Sequence, residues 1–380
     1  MKEFAAHEVL AGCDARQLAR EILRMTQEEF SAAFKSSPMK RTKLRGLKRN
    51  AAVVLGDLDA ASHAESAEDT EVLTRALDDA ESLVRDHAAW ALEQIGPRSI
   101  STGRQRSAAC ALHAPDADTL LVLPNAWDAM SARLVEEAGA RAIATTSAGI
   151  SWALGYPDGQ GLSRDAMAAA VRTIVRAVSV PVSADVESGY GNGTPDDAAA
   201  TARAVIDAGA VGINLEDAPG ANGSVLVDVE QQAARIAAAR AAADAAGVDL
   251  FINARTDVML RKVGDEGRRF EETVRRARAY VAAGADGVFV PGVADADTVR
   301  RLAAAVGVPL NVIGGPGVPA VPELRALGVA RVNVGPGLVR AIMAQVRAAA
   351  KELLGPGTYD SLREQVTSPE ANAPFARRAG

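Results

Sequence analysis

The stretch Val178-Ser179-Val180-Pro181-Val182-Ser183-Ala184-Asp185-Val186-Glu187-Ser188-Gly189-Tyr190-Gly191 passes from a β-branched apolar segment into two carboxylates and a glycine turn. Short, apolar and preceded by a helical pattern, it predicts a buried parallel strand that ends in a loop. In a strand, residues two apart point to the same side, so Asp185 and Glu187 are expected to face one site. Like charges that close need a partner. A hard cation is one such partner; an arginine or a loop that the acids cap is the alternative.

The same β–α alternation continues on both flanks. Strand candidates fall at 120–124, 141–146, 180–185, 211–216, 250–255, 287–291, 310–314 and 331–334, with helical patterns at 131–138, 164–177, 195–208, 229–246 and 270–283 between them. Eight such strands over roughly 260 residues predict an α/β fold, a (β/α)8 TIM barrel. An open doubly wound sheet is the alternative. Against a dinucleotide fold of that type, Leu123-Pro124-Asn125-Ala126-Trp127-Asp128 carries no Gly-rich phosphate fingerprint after the first strand.

Polar residues at the C-terminal strand ends of a barrel converge on one mouth. Here they are Asn125, Asp128, Thr145, Thr146, Ser147, Asp185, Glu187, Asn214, Glu216, Asp217, Asn253, Arg255, Thr256 and Asp257. Acids gathered around one arginine outline a metal and anion site, although any single member also reads as a salt bridge or a loop cap.

The segments Leu123 to Asp128, Thr145-Thr146-Ser147-Ala148-Gly149, Leu154-Gly155-Tyr156-Pro157-Asp158, Ala184 to Gly191, Gly212-Ile213-Asn214-Leu215-Glu216-Asp217 and Asn253-Ala254-Arg255-Thr256-Asp257 resemble the isocitrate lyase and phosphoenolpyruvate mutase superfamily in order and spacing. The resemblance runs from about residue 108 to the end of the chain. It implies a barrel dependent on Mg²⁺, with Mn²⁺ as a substitute, that acts on small 2-oxo acids or their enolates. By position, Asp185 resembles the direct metal ligand, and Asp158, Glu187 and Glu216 resemble acids that hold the metal through water. Arg255 resembles the clamp for a substrate carboxylate. Thr146 and Ser147 fall where the family binds substrate oxygens, and Asn214 and Asn253 join them as substrate-binding candidates.

Departures from that pattern narrow the chemistry. Isocitrate-type lyases resemble one another in a cysteine motif that supplies a proton, whereas Cys13 and Cys110 here both precede the first barrel strand, as do all four histidines. No lysine lies between residues 98 and 261. Acid–base work would then fall to Asp, Glu, Tyr or metal-bound water. The phosphonyl-transferring branch resembles itself in a loop with Lys and Asn-Ser; here Asp217-Ala218-Pro219-Gly220-Ala221-Asn222-Gly223-Ser224 keeps only an Asn-x-Ser echo. The expected activity is a Mg²⁺-dependent lyase on a small 2-oxo or 2-hydroxy di- or tricarboxylate, through a metal-stabilised enolate. Tyr190 is the candidate proton donor, and Asn222 the catalytic candidate on the loop. Phosphonyl or carboxyphosphonyl transfer is the alternative within the fold. A non-catalytic scaffold with a docking module is the alternative outside it.

Residues 1–98 show helical patterns at 15–25, 27–34, 43–55, 70–76 and 81–95 with no strands between them, an all-α module joined to the barrel (108–380) by a polar linker at 99–107. The run from Asp78 to Leu92 looks like a HEAT-type repeat, and with residues 26–34 and 37–52 it resembles the C-terminal tail of epoxyqueuosine reductase. The reductase's cofactor-binding parts have no counterpart, so a docking role is expected. From Lys35 to Arg49 there are seven basic residues and no acid. Contact with RNA phosphates is one reading; a solvated face, or a partner for the acids of 57–69, is favoured.

The chain has 380 residues, 48% of them hydrophobic, and a formal net charge of −6, so neither nucleic acid nor membrane is demanded as a partner. No apolar run approaches the roughly 18 residues that a spanning helix needs. Two cysteines fit a reducing compartment, and a cytoplasmic location is expected. The superfamily resemblance also implies a homo-oligomer, a dimer or tetramer, because its members exchange a late helix. In this chain the apolar face of the helix at 339–354 needs covering.

Overall fold

The structure, a computed structural model, describes residues 14–35, 43–57, 63–95, 112, 120–218 and 226–378. Contacts divide the chain into two compact units, Met1–Arg98 and Ser99–Gly380.

The first unit is helical: α1 (Ala15–Arg24), α2 (Gln27–Ala33), α3 (Lys43–Asp57), α4 (His63–Ala76) and α5 (Ser82–Ile95). Thr26 starts α2 through a reciprocal capping box with Glu29. Leu23, Leu55, Leu73, Val84 and Ala88 form the core of the unit. A Cβ on Gly56 would stand 2.7 Å from the Trp90 ring, so only glycine lets α3 and α5 approach this closely. Helix α4 begins seven residues before its expected start. It carries Asp69 into the interior, where Arg20 (2.6 Å) and Arg16 (3.3 Å) neutralise it. Within the basic stretch, residues 36–42 lie outside the described residues. Lys48 pairs with Asp79 (2.9 Å) and Arg45 with Glu81 (3.3 Å).

In the second unit, strands and helices alternate as β1 (Leu121–Leu123), β2 (Asn125–Ala126), α6 (Ala129–Glu137), β3 (Ile143–Thr145), α7 (Ser147–Ala153), α8 (Arg164–Ala177), β4 (Val182–Asp185), α9 (Pro195–Asp207), β5 (Gly212–Glu216), α10 (Val229–Ala246), β6 (Phe251–Arg255), α11 (Arg269–Ala282), β7 (Gly287–Phe289), α12 (Ala296–Val306), β8 (Leu310–Ile313), α13 (Val321–Ala326), β9 (Arg331–Asn333), α14 (Gly337–Leu354) and α15 (Ser368–Asn372). All strand pairs are parallel, in the order β1-β9-β8-β7-β6-β5-β4-β3-β2. The sheet therefore begins and ends on one stretch of chain, and β1 and β2 are the halves of a first barrel strand broken at Pro124. Proline has no N–H to give a ladder. Asn125 bridges the break: its Nδ2 donates to the Thr145 carbonyl (2.8 Å) and its Oδ1 accepts from Val334 N–H (2.9 Å). It is a closure residue rather than part of the mouth.

Strand alternation divides the side chains between two environments. Ala184, Ile213, Leu215, Ile252 and Ala254 pack outward against Val171, Val205, Ile236 and Tyr280 of the surrounding helices. Their neighbours Asp185, Asn214 and Asn253, which are in register across β4, β5 and β6, face the barrel axis. Leu112, Leu121, Leu123 and Phe251 fill the barrel beneath them. The helices start on side-chain caps, Ser163 for α8, Thr194 with Pro195 for α9 and Asp228 for α10. On α14, Leu338, Ile342, Met343, Val346 and Leu354 are exposed. No helix among the described residues is long and apolar enough to cross a membrane.

Candidate active site

Asp185, the last residue of β4, is aimed by the strand beside it. Its N–H donates to Thr145 Oγ1 (2.8 Å), and one carboxylate oxygen, Oδ2, accepts from both the hydroxyl (2.7 Å) and the N–H (3.1 Å) of Ser147. Ser147 thus spends its hydroxyl on Asp185. Thr146 caps α7, its Oγ1 accepting from Gly149 N–H at 3.5 Å. Both lie at the mouth, as expected, but each is engaged within the protein.

Glu187 reaches the site by a route that alternation does not describe. The strand ends at Asp185, and Glu187 adopts a left-handed backbone (φ +50°) while its carbonyl still accepts from Glu216 N–H (2.9 Å). The turn, not the pleat, brings it to Asp185. Five described non-glycine residues have left-handed backbones, and Gln160, Glu187 and Tyr190 are three of them. They meet at one carboxylate. Gln160 N–H donates to Glu187 Oε2 and the Tyr190 hydroxyl donates to Oε1 (3.3 Å). Backbone strain that gathers in this way is characteristic of functional sites.

The electrostatics match the geometry. Burial, then the charges of Asp185 and Asp158, push the Glu187 carboxyl up to about 7. Asp158 stands at the open edge of the site, yet partial burial and Asp185 raise it too. The Tyr190 hydroxyl, buried and beside Glu187, is raised well above its usual value and stays protonated. Among the described residues none of Asp158, Asp185 and Glu187 forms an ion pair with an arginine or lysine.

Glu216 is the exception among the site acids. Its Oε2 lies 2.7 Å from Arg255 Nη1, and Arg255 turns Nε and Nη2 onto the two oxygens of Asp257 (2.7 and 3.0 Å). Burial pushes Glu216 up to about 8 against the pull of Arg255, while Arg255, despite its own burial, is held above its usual value by Glu216 and Asp257. The short charge-assisted contact decides for the ionised pair. Each guanidinium nitrogen thus has one partner, and the two terminal nitrogens keep one N–H apiece. Phe289 lies 5.7 Å from the guanidinium carbon. Asn253 Nδ2 donates to Asn214 Oδ1 (2.8 Å), and Asn253 Oδ1 is buried with no partner among the described residues.

Several sequence candidates separate from this set. Asp217 follows Glu216 but points to the opposite side, accepting from Asp257 N–H (2.9 Å), the Tyr280 hydroxyl (2.8 Å) and Arg276 (3.1 Å). Asp128 caps α6. Asn222 lies outside the described residues. Gln160 was absent from the sequence candidates, and the only local signal for it is the run Asp158-Gly159-Gln160-Gly161, a tight turn directly after a candidate acid.

Among the described residues no three His, Cys, Asp or Glu side chains stand close enough to hold an ion directly. One direct ligand with outer acids acting through water does not need such a group. Asp158, Asp185 and Glu187 stand close enough for the Asp185 charge to raise the other two, and among the described residues none of them is in an ion pair with a base, so they are a donor set that a divalent cation fits.

A parallel barrel whose mouth gathers carboxylates opposite a held arginine is built for enzymatic work on a small anionic substrate. The chain belongs to the phosphoenolpyruvate phosphomutase family, whose model matches residues 109–354. It is 39% identical over 218 residues to an uncharacterized protein of Mycobacterium tuberculosis strain H37Rv, covering 56% of this chain and 77% of that one. With the 2-methylisocitrate lyase of Bacillus subtilis strain 168 it shares 30% identity over 228 residues, 58% of this chain and 70% of the relative. Among solved structures it is similar to 2,3-dimethylmalate lyase, a member of the phosphoenolpyruvate mutase and isocitrate lyase superfamily, with a TM-score of 0.61, 27% identity and coverage of 71% of this chain and 94% of that one. Its class is that of carbon–carbon lyases and phosphonomutases. The matched segment begins after the helical unit, so the comparisons leave the HEAT-like reading of residues 1–98 unsupported.

Proposed function

We propose that the protein is a Mg²⁺-dependent lyase that cleaves a small 2-oxo or 2-hydroxy di- or tricarboxylate beside its carbonyl or hydroxyl carbon. The observation that carries the reading is the set Asp158, Asp185 and Glu187, in no ion pair with a base among the described residues, at the same mouth as Arg255. A divalent cation held there would supply positive charge against the oxygen of the developing enolate. Asp185 would hold it directly, with Asp158 and Glu187 acting through water. Glu216 is better placed to orient Arg255 than to serve the metal. The remaining N–H groups of Arg255 would grip a substrate carboxylate, and Asn214 and Asn253 would contact substrate oxygens from the barrel axis. Tyr190, protonated at rest, would give its proton to the carbon of the leaving fragment, and the proton lost by the substrate hydroxyl as it becomes a carbonyl would replace it.

The test is to incubate the protein and its Asp185→Ala variant with Mg²⁺ and a panel of such acids plus phosphonopyruvate, following products by proton and phosphorus NMR. Release of pyruvate, glyoxylate or CO₂ that vanishes in the variant is expected. A phosphorus shift instead would move the protein to phosphonyl transfer, the second reading, which the family match favours. Silence with every substrate would count against both.

The exposed apolar face of α14 supports a homo-oligomer, which sedimentation would establish. For the helical unit we favour a docking role. The pairing of Arg45 and Lys48 with acids of the same unit weighs against RNA contact by the stretch around them.

A further inference from the structure

We propose that Gln160 is a positioning residue for Glu187, and that it joins the loop bearing Asp158 and the turn bearing Glu187 into one body. The inference rests on the active-site reading above. Gln160 meets the turn twice: its N–H donates to Glu187 Oε2 and its side-chain Nε2 to Ser188 Oγ. Its left-handed backbone (φ +64°) is what points the N–H at the carboxylate, and a glutamine does not hold that conformation without a reason. The side-chain bond to Ser188 supplies one. Because Asp158 lies two residues earlier on the same loop, fixing Gln160 also limits where Asp158 can stand relative to Glu187.

A second tie, independent of Gln160, fastens the outer ends of the same two segments. Arg164 Nε donates to Thr201 Oγ1 (2.8 Å), which donates to the Gly189 carbonyl (2.6 Å). Arg164 Nη2 also reaches Asp197 Oδ1 (3.0 Å), whose other oxygen accepts from Asn192 N–H (2.9 Å). The outer ends are therefore pinned whether or not Gln160 is present, and its contribution is confined to the inner end, where the acids are. In water-mediated metal binding, the position of the outer acids sets where ordered water can stand, so a fixed Glu187 is a condition for affinity.

The test compares wild type, Gln160→Ala and Gln160→Gly. Alanine keeps the left-handed penalty and loses the tie, so the loop should relax and withdraw its N–H. Glycine adopts the turn freely and keeps the N–H in place. In metal-free protein, amide hydrogen exchange over residues 186–190 should quicken in Gln160→Ala and stay near wild type in Gln160→Gly. Mg²⁺ affinity by calorimetry should fall about tenfold in the alanine variant and less in the glycine variant. Unchanged exchange and affinity in Gln160→Ala would overturn the proposal. If wild type and Asp185→Ala bind Mg²⁺ equally, the active-site reading fails, while the exchange measurement still decides whether Gln160 holds the Glu187 turn. Should Gln160→Ala fail to fold, Ser188→Ala removes the same side-chain bond from the other end and is read in the same two ways.

Discussion

Ser147 gives both its hydroxyl and its N–H to a single oxygen of Asp185, at 2.7 and 3.1 Å. Ser147→Ala removes the shorter bond and keeps the N–H. If Asp185 is the direct ligand, Mg²⁺ affinity by calorimetry should drop about tenfold, as is usual when a ligand loses its orienting partner. Affinity equal to wild type would mean that Ser147 does not aim the ligand.

Asp257 is fully buried and grips Arg255 with both oxygens, so Asp257→Asn takes away one of the guanidinium's two counter-charges and leaves Glu216 as the other. Removing one partner of a buried pair typically costs about 3 to 5 kcal/mol, and urea unfolding should show a loss near the lower end because asparagine retains one acceptor. KM for the carboxylate substrate should rise together with the loss of stability.

Glu187 gives the metal-free protein a defined pH response. Its folded value of about 7 lies above the ordinary 4.5, so the folded state binds this proton more tightly than the unfolded chain does. Stability should therefore fall as pH rises from about 4.5 to 7, by a total on the order of 3 kcal/mol from this group alone, and level off above that window. Urea midpoints between pH 5 and 8 in a chelator would measure the slope, Glu187→Gln should flatten it, and Mg²⁺ should restore stability at the upper end.

Tyr190 separates a chemical role from a supporting one. If its hydroxyl delivers the proton, Tyr190→Phe should lower kcat about 100-fold with little change in KM. If it only steadies Glu187 through the 3.3 Å bond, Mg²⁺ affinity should weaken and kcat at saturating Mg²⁺ should be largely preserved. The two constants, measured together, tell these apart.

The β–α rhythm from Leu120 to Val334 was legible because a parallel strand buried on both faces needs a short apolar run, and each crossover helix needs one apolar stripe. Those are local demands, and they placed strands and helices to within a few residues. Topology also carries the strand ends to one mouth, which is why Asp185, Glu216 and Arg255 were legible, but it did not exclude Asn125, Asp128 and Asp217, whose side chains are used elsewhere. The broken first strand was visible as Pro124, but Asn125 gave no sign in sequence that it would bridge the gap.

What sequence determined by itself was the barrel, its family and the residues gathered at its mouth. Tertiary structure alone decided their orientation and their partners. Glu187 faces Asp185 through a left-handed turn rather than strand alternation, Asp217 points away from its neighbour Glu216, and Arg255 is held by Asp257. Gln160 enters the site only because a distant loop folds back onto residues 187 and 188. The physical reason is that backbone periodicity is set by neighbours along the chain. The partner of a buried charge is set by which loops share its low-dielectric space, and that is known only once the ring has closed.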